Sequence, residues 1–260
     1  MAQEKTVLIT GASNGIGYEL AKLFADDGYN LVLIARDEKK LKEAAGEIQM
    51  KYVVHVRAIA KDLSEPNAPA DIFTILQKEN VSVDILVNNA GYGTYGAFSE
   101  TDLEDELRMI HVNIASLTHF TKLFLKGMVK RKDGKIMNVA STAAFQPGPM
   151  MAVYYATKAF VLSFSEAIAN ELSGTGVTVT ALCPGPTETG FQKRAKMEKT
   201  LLTKTNLMDA ETVAKLGYKS LMKGKTVEVT GVANKVLAET VRIAPRKFVT
   251  SIVRTLHKKS

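Results

Sequence analysis

Tyr154 and Lys158 stand four residues apart in the stretch YYATK. On a helix, positions i and i+4 share a face, about 6 Å apart or less, so the phenol and the ammonium are close enough to couple electrostatically. Taken alone, the pair also fits an amphipathic helix with a snorkelling lysine. A second stretch, TGASNGIG at residues 10–17, lies between an apolar β-branched run and a segment of helical spacing. Its glycines at 11, 15 and 17 allow a tight turn and close approach of the backbone to a pyrophosphate, whose charge is met by free amides at the helix N-terminus. A merely structural turn is the alternative, and the strand-before, helix-after context favours a dinucleotide.

The second apolar run, LVLIA at 31–35, closes on Arg36 and Asp37. An acid at this strand end binds the ribose hydroxyls of NAD, whereas an arginine accommodates the extra phosphate of NADP, for which the guanidinium fork is suited. Arg36 therefore favours NADP. Asp37 could instead reach the ribose, and Arg36 could be a solvated charge opening a helix that also contains Lys39, Lys40 and Lys42.

These residues need elements to position them. Short apolar runs recur at 6–10, 31–35, 53–60, 83–89, 135–141 and 177–183, with a weaker one at 226–230. Between them lie stretches of helical spacing, such as Ile16, Leu20, Leu23 and Phe24. Strands apolar on both faces and alternating with helices predict an α/β fold: a doubly wound parallel sheet of about seven strands, helices on both faces. No repeat, linker or low-complexity segment divides residues 1–260, so a single domain is expected.

Composition excludes several classes. Hydrophobic residues make up 46% of the chain and charged residues 23%, ordinary for a globular protein. No apolar run approaches the ~20 residues of a membrane span, and the N-terminus lacks an export pattern. Together with a single cysteine, Cys183, this leads us to expect a cytoplasmic protein. The net charge is +7, and Arg242, Arg246, Lys247, Arg254, Lys258 and Lys259 in the acid-free segment 241–260 supply six of it. The nearly neutral remainder lacks the basic footprint of a nucleic-acid reader. The tail interleaves those charges with Phe248, Ile252, Val253 and Leu256. Two readings stand: a basic amphipathic helix for weak contact with an anionic membrane surface, or a solvated last helix packing its apolar side on the body.

The chain resembles the single-domain members of the short-chain dehydrogenase/reductase family over almost its whole length. The resemblance rests on TGASNGIG at 10–17, Asp62 with Leu63, NNAG at 88–91, Asn113 in HVNIAS, Ser141 in NVAST, Tyr154 with Lys158, and PGPTET at 184–189. Their order and separations, including thirteen residues from Ser141 to Tyr154, carry the specificity. The family's extended relatives use a differently spaced glycine motif and a larger substrate region.

The resemblance implies four catalytic residues. Tyr154 would protonate the alkoxide that develops when a carbonyl is reduced, from about 3 Å away. In reverse it would act as a base. Lys158 and an oxidised nicotinamide would then hold its phenol about two to three pKa units below the usual ~10, roughly 3 to 4 kcal/mol. Ser141 would polarise the carbonyl. Asn113 would interrupt its helix and position a water relaying protons to Lys158. The same resemblance gives Gly11, Ser13, Asn14, Gly15, Ile16 and Gly17 to the pyrophosphate turn and Arg36 to the 2′-phosphate. Asp62 with Leu63 would meet the adenine, and Asn89, Ala90 and Gly91 would floor the adenosine ribose, while Asn88 ties neighbouring strands. Pro184, Gly185 and Thr187 would border the nicotinamide, with Thr189 near its carboxamide or the phosphates. No metal is implied.

Substrate loops are expected at about 142–153 and 186–208. Phe145, Met150, Met151, Phe191, Met197, Leu201 and Leu202 would give apolar, adaptable walls, suited to a hydrophobic ketone, aldehyde, alcohol or 3-oxoacyl group. Lys193, Arg194 and Lys196 could attract an acidic carrier such as a coenzyme A ester, or form a solvated helix face. Tyr155 reads as packing and Cys183 as a buried thiol. A homodimer or homotetramer would form through helices over about 113–130 and 153–173. The competing class is a nucleotide sensor or scaffold without turnover, which has no need of all four catalytic residues.

Overall fold

In the first strand Val7 and Ile9 pack to one side and Leu8 to the other, all three fully buried, as the pleat requires of a strand covered on both faces. The computed structural model describes residues 5–195, 197, 200–201 and 207–258. Strands and helices alternate through the first half: β1 (Thr6–Thr10), α1 (Gly15–Asp26), β2 (Asn30–Ala35), α2 (Glu38–Lys51), β3 (Val56–Ala60), α3 (Ala68–Lys78) and β4 (Ile85–Asn88). Next, α4 (Leu103–Ile110) runs through a π-helical segment, His111–Ser116, into α5 (Leu117–Arg131), followed by β5 (Gly134–Val139), a 3-10 turn (Thr142–Phe145), α6 (Ala152–Glu171) and β6 (Val177–Cys183). The chain continues with β7 (Thr187–Glu188), α7 (Phe191–Arg194), β8 (Met208–Asp209), α8 (Ala210–Met222), β9 (Val227–Val229), α9 (Val232–Ile243) and α10 (Arg246–Leu256).

Seven strands form one parallel sheet in the order β3-β2-β1-β4-β5-β6-β9, the expected doubly wound arrangement. On one face Leu20 and Phe24 of α1, Leu41 and Ile48 of α2, and Val213 and Leu221 of α8 close the core. On the other face Ile72 and Leu76 of α3, Phe120, Phe124 and Met128 of α5, and Ile168 of α6 do so. Because β1 lies between β2 and β4, the chain reverses direction across the sheet there, and a crevice opens beyond the carboxyl ends of these two strands.

Two expected strands are shorter in the structure. The run 53–60 yields a strand only from Val56, because Val53 is fully exposed beyond the end of α2. The fourth strand stops at Asn88 because the Asn89 backbone leaves the ladder to meet Thr10. On the helix over 113–130, Leu117, Phe120, Phe124 and Met128 are buried and Val129 is exposed. A further exposed apolar row lies on α4, at Leu103, Leu107 and Ile110, and Phe160 is exposed on α6.

Candidate active site

The crevice, about 1110 Å³ in volume, begins at the turn after β1. Gly11 has φ of +67°, a conformation that L side chains rarely adopt. A Cβ at Gly17 would overlap the Asn89 side-chain amide and the Gly11 carbonyl. Asn89 closes this contact by donating from Nδ2 to the carbonyls of Thr10 (2.9 Å) and Gly11 (3.0 Å), so its amide locks the turn while the residue lines the crevice. The Thr10 hydroxyl, to which the sequence reading gave no role, accepts from the amides of Asn89 and Ala90, both at 3.0 Å. Ser13, Asn14, Gly15 and Ile16 face the crevice. Asn14 makes no side-chain cap and the first turn of α1 holds no acid, which leaves its amides and dipole available to an anion. Gly17→Ala is expected to cost about 1–3 kcal/mol of stability by overpacking. Urea unfolding reads this, and wild-type stability would contradict the packing of the turn on Asn89.

At the end of β2, Arg36 lines the crevice. Asp37 caps α2, its carboxylate accepting from the Lys40 amide at 3.1 Å. Leu63 is buried beside the crevice and Asp62 accepts from the Ser64 amide at 2.9 Å. Burial pushes the Asp62 carboxyl up, but the Ser64 hydrogen bonds, with Arg36 and Arg194 nearby, hold it below the usual carboxylate range. Gly91 completes this wall: a Cβ there would come within 3.1 Å of Asn113 Oδ1 and 3.3 Å of Lys158 Nζ.

Four elements bring the remaining polar residues to the mouth of the sheet. Asn113 lies in the π-helical segment, so the expected interruption of its helix is present. Its side chain is fully used, however. Oδ1 accepts from the Tyr92 amide (3.1 Å), and Nδ2 donates to the Tyr92 carbonyl (2.9 Å) and the Thr157 hydroxyl (3.0 Å). The side chain braces the wall. Ser141 follows β5 and caps the 3-10 turn, its hydroxyl accepting from the Ala143 amide at 3.1 Å. On α6, Tyr154 and Lys158 share a face as the spacing predicts, with Nζ 5.8 Å from the phenol ring centre. Lys158 is buried and donates to the Val139 carbonyl at 2.8 Å. Asn88 ties β4 to β5 through Asn138 (2.9 Å) and to α5 through Thr121 (3.0 Å).

Burial dominates the electrostatics. It pushes the Tyr154 phenol up to about 12, with the Ser141 hydroxyl opposing, and pushes Lys158 down to about 8. The expected lowering of Tyr154 is therefore not a property of the protein alone, because desolvation disfavours the phenolate more than these neighbours favour it. Cys183 is fully buried with its thiol pushed up to about 12 by burial, an inert side chain as expected.

The turn after β6 carries Pro184, Gly185, Thr187 and Thr189 along the crevice. A Cβ at Gly185 would overlap the Asn234 side chain of α9, which fixes this turn against that helix. Thr189 packs over Gly15, 3.1 Å from where a Cβ would sit. Of the expected apolar walls, Met151, Phe191 and Met197 line the crevice. Phe145 packs instead near Ala140 and Val161 and Leu201 is partly exposed. Met150, with φ of +71°, is a turn residue. Leu202 and Lys196 lie outside the described residues. Arg194 is exposed, with its guanidinium stacked 3.7 Å over the Tyr92 ring, and it lines the crevice.

Sequence reading missed the far wall. Val253, Leu256 and His257 at the C-terminus and Asn234 and Leu237 of α9 line the crevice. The His257 ring bridges the Pro149 carbonyl (2.8 Å) and the Tyr155 hydroxyl (3.2 Å). The spacing of Val249, Val253 and Leu256 carried a signal for an inward helical face, but nothing local in sequence says what such a face covers.

Residues 5–200 match the short chain dehydrogenase family. The chain is 35% identical over 246 residues to a very-long-chain 3-oxoacyl-CoA reductase of Rattus norvegicus, covering 92% of this chain and 75% of that protein. Among solved structures, a short-chain dehydrogenase from Sphingobium yanoikuyae in complex with NADPH superposes with a TM-score of 0.83 at 33% identity, covering 95% of each chain. A short chain dehydrogenase/reductase from Burkholderia phymatum in complex with NAD gives 0.81 at 26% identity, covering 93% of this chain and 92% of that one. With its parallel sheet, glycine turn and crevice at the switch between β1 and β4, the chain belongs to the short-chain dehydrogenase/reductase family of oxidoreductases.

Proposed function

We propose that the protein is an NADP(H)-dependent reductase or dehydrogenase that interconverts a hydrophobic or acyl-type carbonyl compound and its secondary alcohol. The observation that carries this reading is the convergence of Ser141, Tyr154 and Lys158 on one crevice whose opposite end holds Arg36. The glycine turn, with no room for a side chain at Gly17 and a left-handed backbone at Gly11 and Gly15, fits a dinucleotide laid against the backbone. Arg36 favours the phosphorylated form because Asp37, the competing ribose ligand, is engaged as a helix cap. NADPH, when bound, supplies a hydride to the carbonyl carbon.

The residues of the chain do the rest. Ser141 donates to the carbonyl oxygen and, with Tyr154, holds it at the nicotinamide end of the crevice. The phenol of Tyr154, kept protonated by burial, gives its proton to the developing alkoxide. Lys158, beside that ring, supplies positive charge for the phenolate then formed and holds the nicotinamide ribose. Asn113, in the π-helical segment, positions the water that returns a proton. Met151, Met197, Phe191 and Leu256 give a hydrophobic substrate its walls, and the 3-oxoacyl-CoA reductase named above supports an acyl chain. A homodimer through Leu103, Leu107 and Ile110 of α4 with Phe160 of α6 covers the exposed apolar row. A cytoplasmic setting completes the reading, carried by the lone unpaired Cys183.

Arg36→Ala is the sharpest test of the cofactor assignment. Loss of charge-assisted hydrogen bonds to a phosphate, about 1.5–3 kcal/mol, should weaken NADPH binding roughly 10- to 100-fold and leave NADH binding unchanged in fluorescence titrations. Equal effects on both, or a wild-type preference for NADH, would contradict it.

A further inference from the structure

We infer that the outer face of α9 and α10 is a docking surface for a membrane rich in anionic phospholipid. The inner face of α10 is accounted for: Val249 and Val253 are buried against Met151, Tyr155 and Met197. The end of the helix is pinned by the fully buried His257, whose backbone carbonyl accepts from the Tyr95 hydroxyl at 2.6 Å. The orientation of the helix is therefore fixed, and what faces outward is not free to turn in. Phe248 and Ile252, one turn apart on α10, remain 61% and 45% exposed, while Val232, Val236 and Ile243 of α9 are exposed as well. Large apolar side chains left in water on two consecutive helices mark an interaction surface.

The charge around them identifies the occupant. Residues 240–258 contain no acid, and Arg246, Lys247, Arg254 and Lys258 form no ion pair among the described residues; Lys259 lies outside these. Arg242 alone is paired, with Glu239 at 3.4 Å. Apolar side chains bordered by unpaired cations match the interfacial region of an anionic bilayer, where rings and branched chains enter the acyl boundary and bases meet headgroup phosphates. A second copy of this chain fits less well, since a two-fold contact would set one basic face against another. The exposed row on α4 differs in carrying charges of both signs, with Arg108 paired to Asp105 at 3.7 Å, so a two-fold contact there does not set one basic face against another. The inner faces of α9 and α10 wall the crevice through Leu237, Val253, Leu256 and His257, so a docked bilayer would lie one helix, about 10 Å, from the substrate. The inference needs only the fold and stands whether or not the proposed turnover is found.

The test is flotation of the full chain with vesicles of phosphatidylcholine alone and of phosphatidylcholine with phosphatidylserine, at low and high salt. Truncation would not serve, because removing α10 also removes Val253, Leu256 and His257 from the crevice. We expect binding only to the anionic vesicles, with release by salt. Lys247→Glu with Arg254→Glu should weaken partitioning about fivefold or more per base, and Phe248→Ser with Ile252→Ser about tenfold or more. NADPH affinity in both variants should stay at the wild-type value, because none of the four side chains lines the crevice. No binding by the wild type, or wild-type binding by both variants, would overturn the inference. So would a fall in oligomeric mass of the serine variant, by light scattering, in a protein that ignores vesicles, since a second copy would then cover the face.

Discussion

Tyr154→Phe is expected to lower turnover by about 10²- to 10⁴-fold, the range that a positioned general acid contributes, while NADPH binds as tightly as to the wild type. The substitution removes one hydroxyl and keeps the ring, which packs on Phe191 with centroids 5.1 Å apart and on Tyr155 at 6.0 Å. The fold and the apolar wall are therefore preserved. The split between turnover and cofactor affinity is informative, because a residue that merely filled α6 would change neither. Full activity in this variant would remove Tyr154 from the chemistry.

Lys158→Met is expected to abolish turnover and also to change how stability depends on pH. Burial holds the Lys158 ammonium near pKa 8 in the folded protein, against about 10.4 in an unfolded chain. The folded state therefore releases this proton first. Below pH 8 the full cost of burying the charge, about 3 kcal/mol, is present. Between roughly pH 8 and 10.4 the unfolded state binds more protons, so this group makes the wild type more stable as pH rises. The methionine variant lacks that gain. Other titrating groups cancel in the comparison, and the lost hydrogen bond to the Val139 carbonyl is a constant offset. Urea unfolding of both proteins across this window should show the wild type gaining on the variant. Parallel curves would mean that Lys158 is not held as a desolvated cation.

The sheet was legible in the sequence because its strands are apolar on both faces, so the runs at 6–10, 31–35 and 177–183 coincide with β1, β2 and β6 almost residue for residue. Edges were harder. Val53 is apolar yet exposed, and only the end of α2 explains why the run at 53–60 starts three residues late as a strand. The polar motifs were legible as a constellation, but not in their division of labour. Asn89 and Asn113 turn their amides to the backbone of neighbouring segments, and Thr10 bridges β1 to the exit of β4, contacts between residues about 80 apart in one case. The far wall of the crevice was legible only as a last helix with an apolar side to pack on the body, not in what that side covers. His257 reaches Pro149 and Tyr155 across more than a hundred residues, and no local periodicity encodes such a contact.

On the proposed function, this crevice reduces hydrophobic carbonyl groups with NADPH. Its most direct test is NADPH oxidation by the purified protein against a series of ketones and 3-oxoacyl thioesters of increasing chain length. Turnover is expected to rise with chain length as the walls at Met151, Met197 and Leu256 are filled, and to disappear in Tyr154→Phe. Tight NADPH binding with no oxidation across the whole series, in wild type and variant alike, would contradict it and leave a nucleotide-binding protein without turnover.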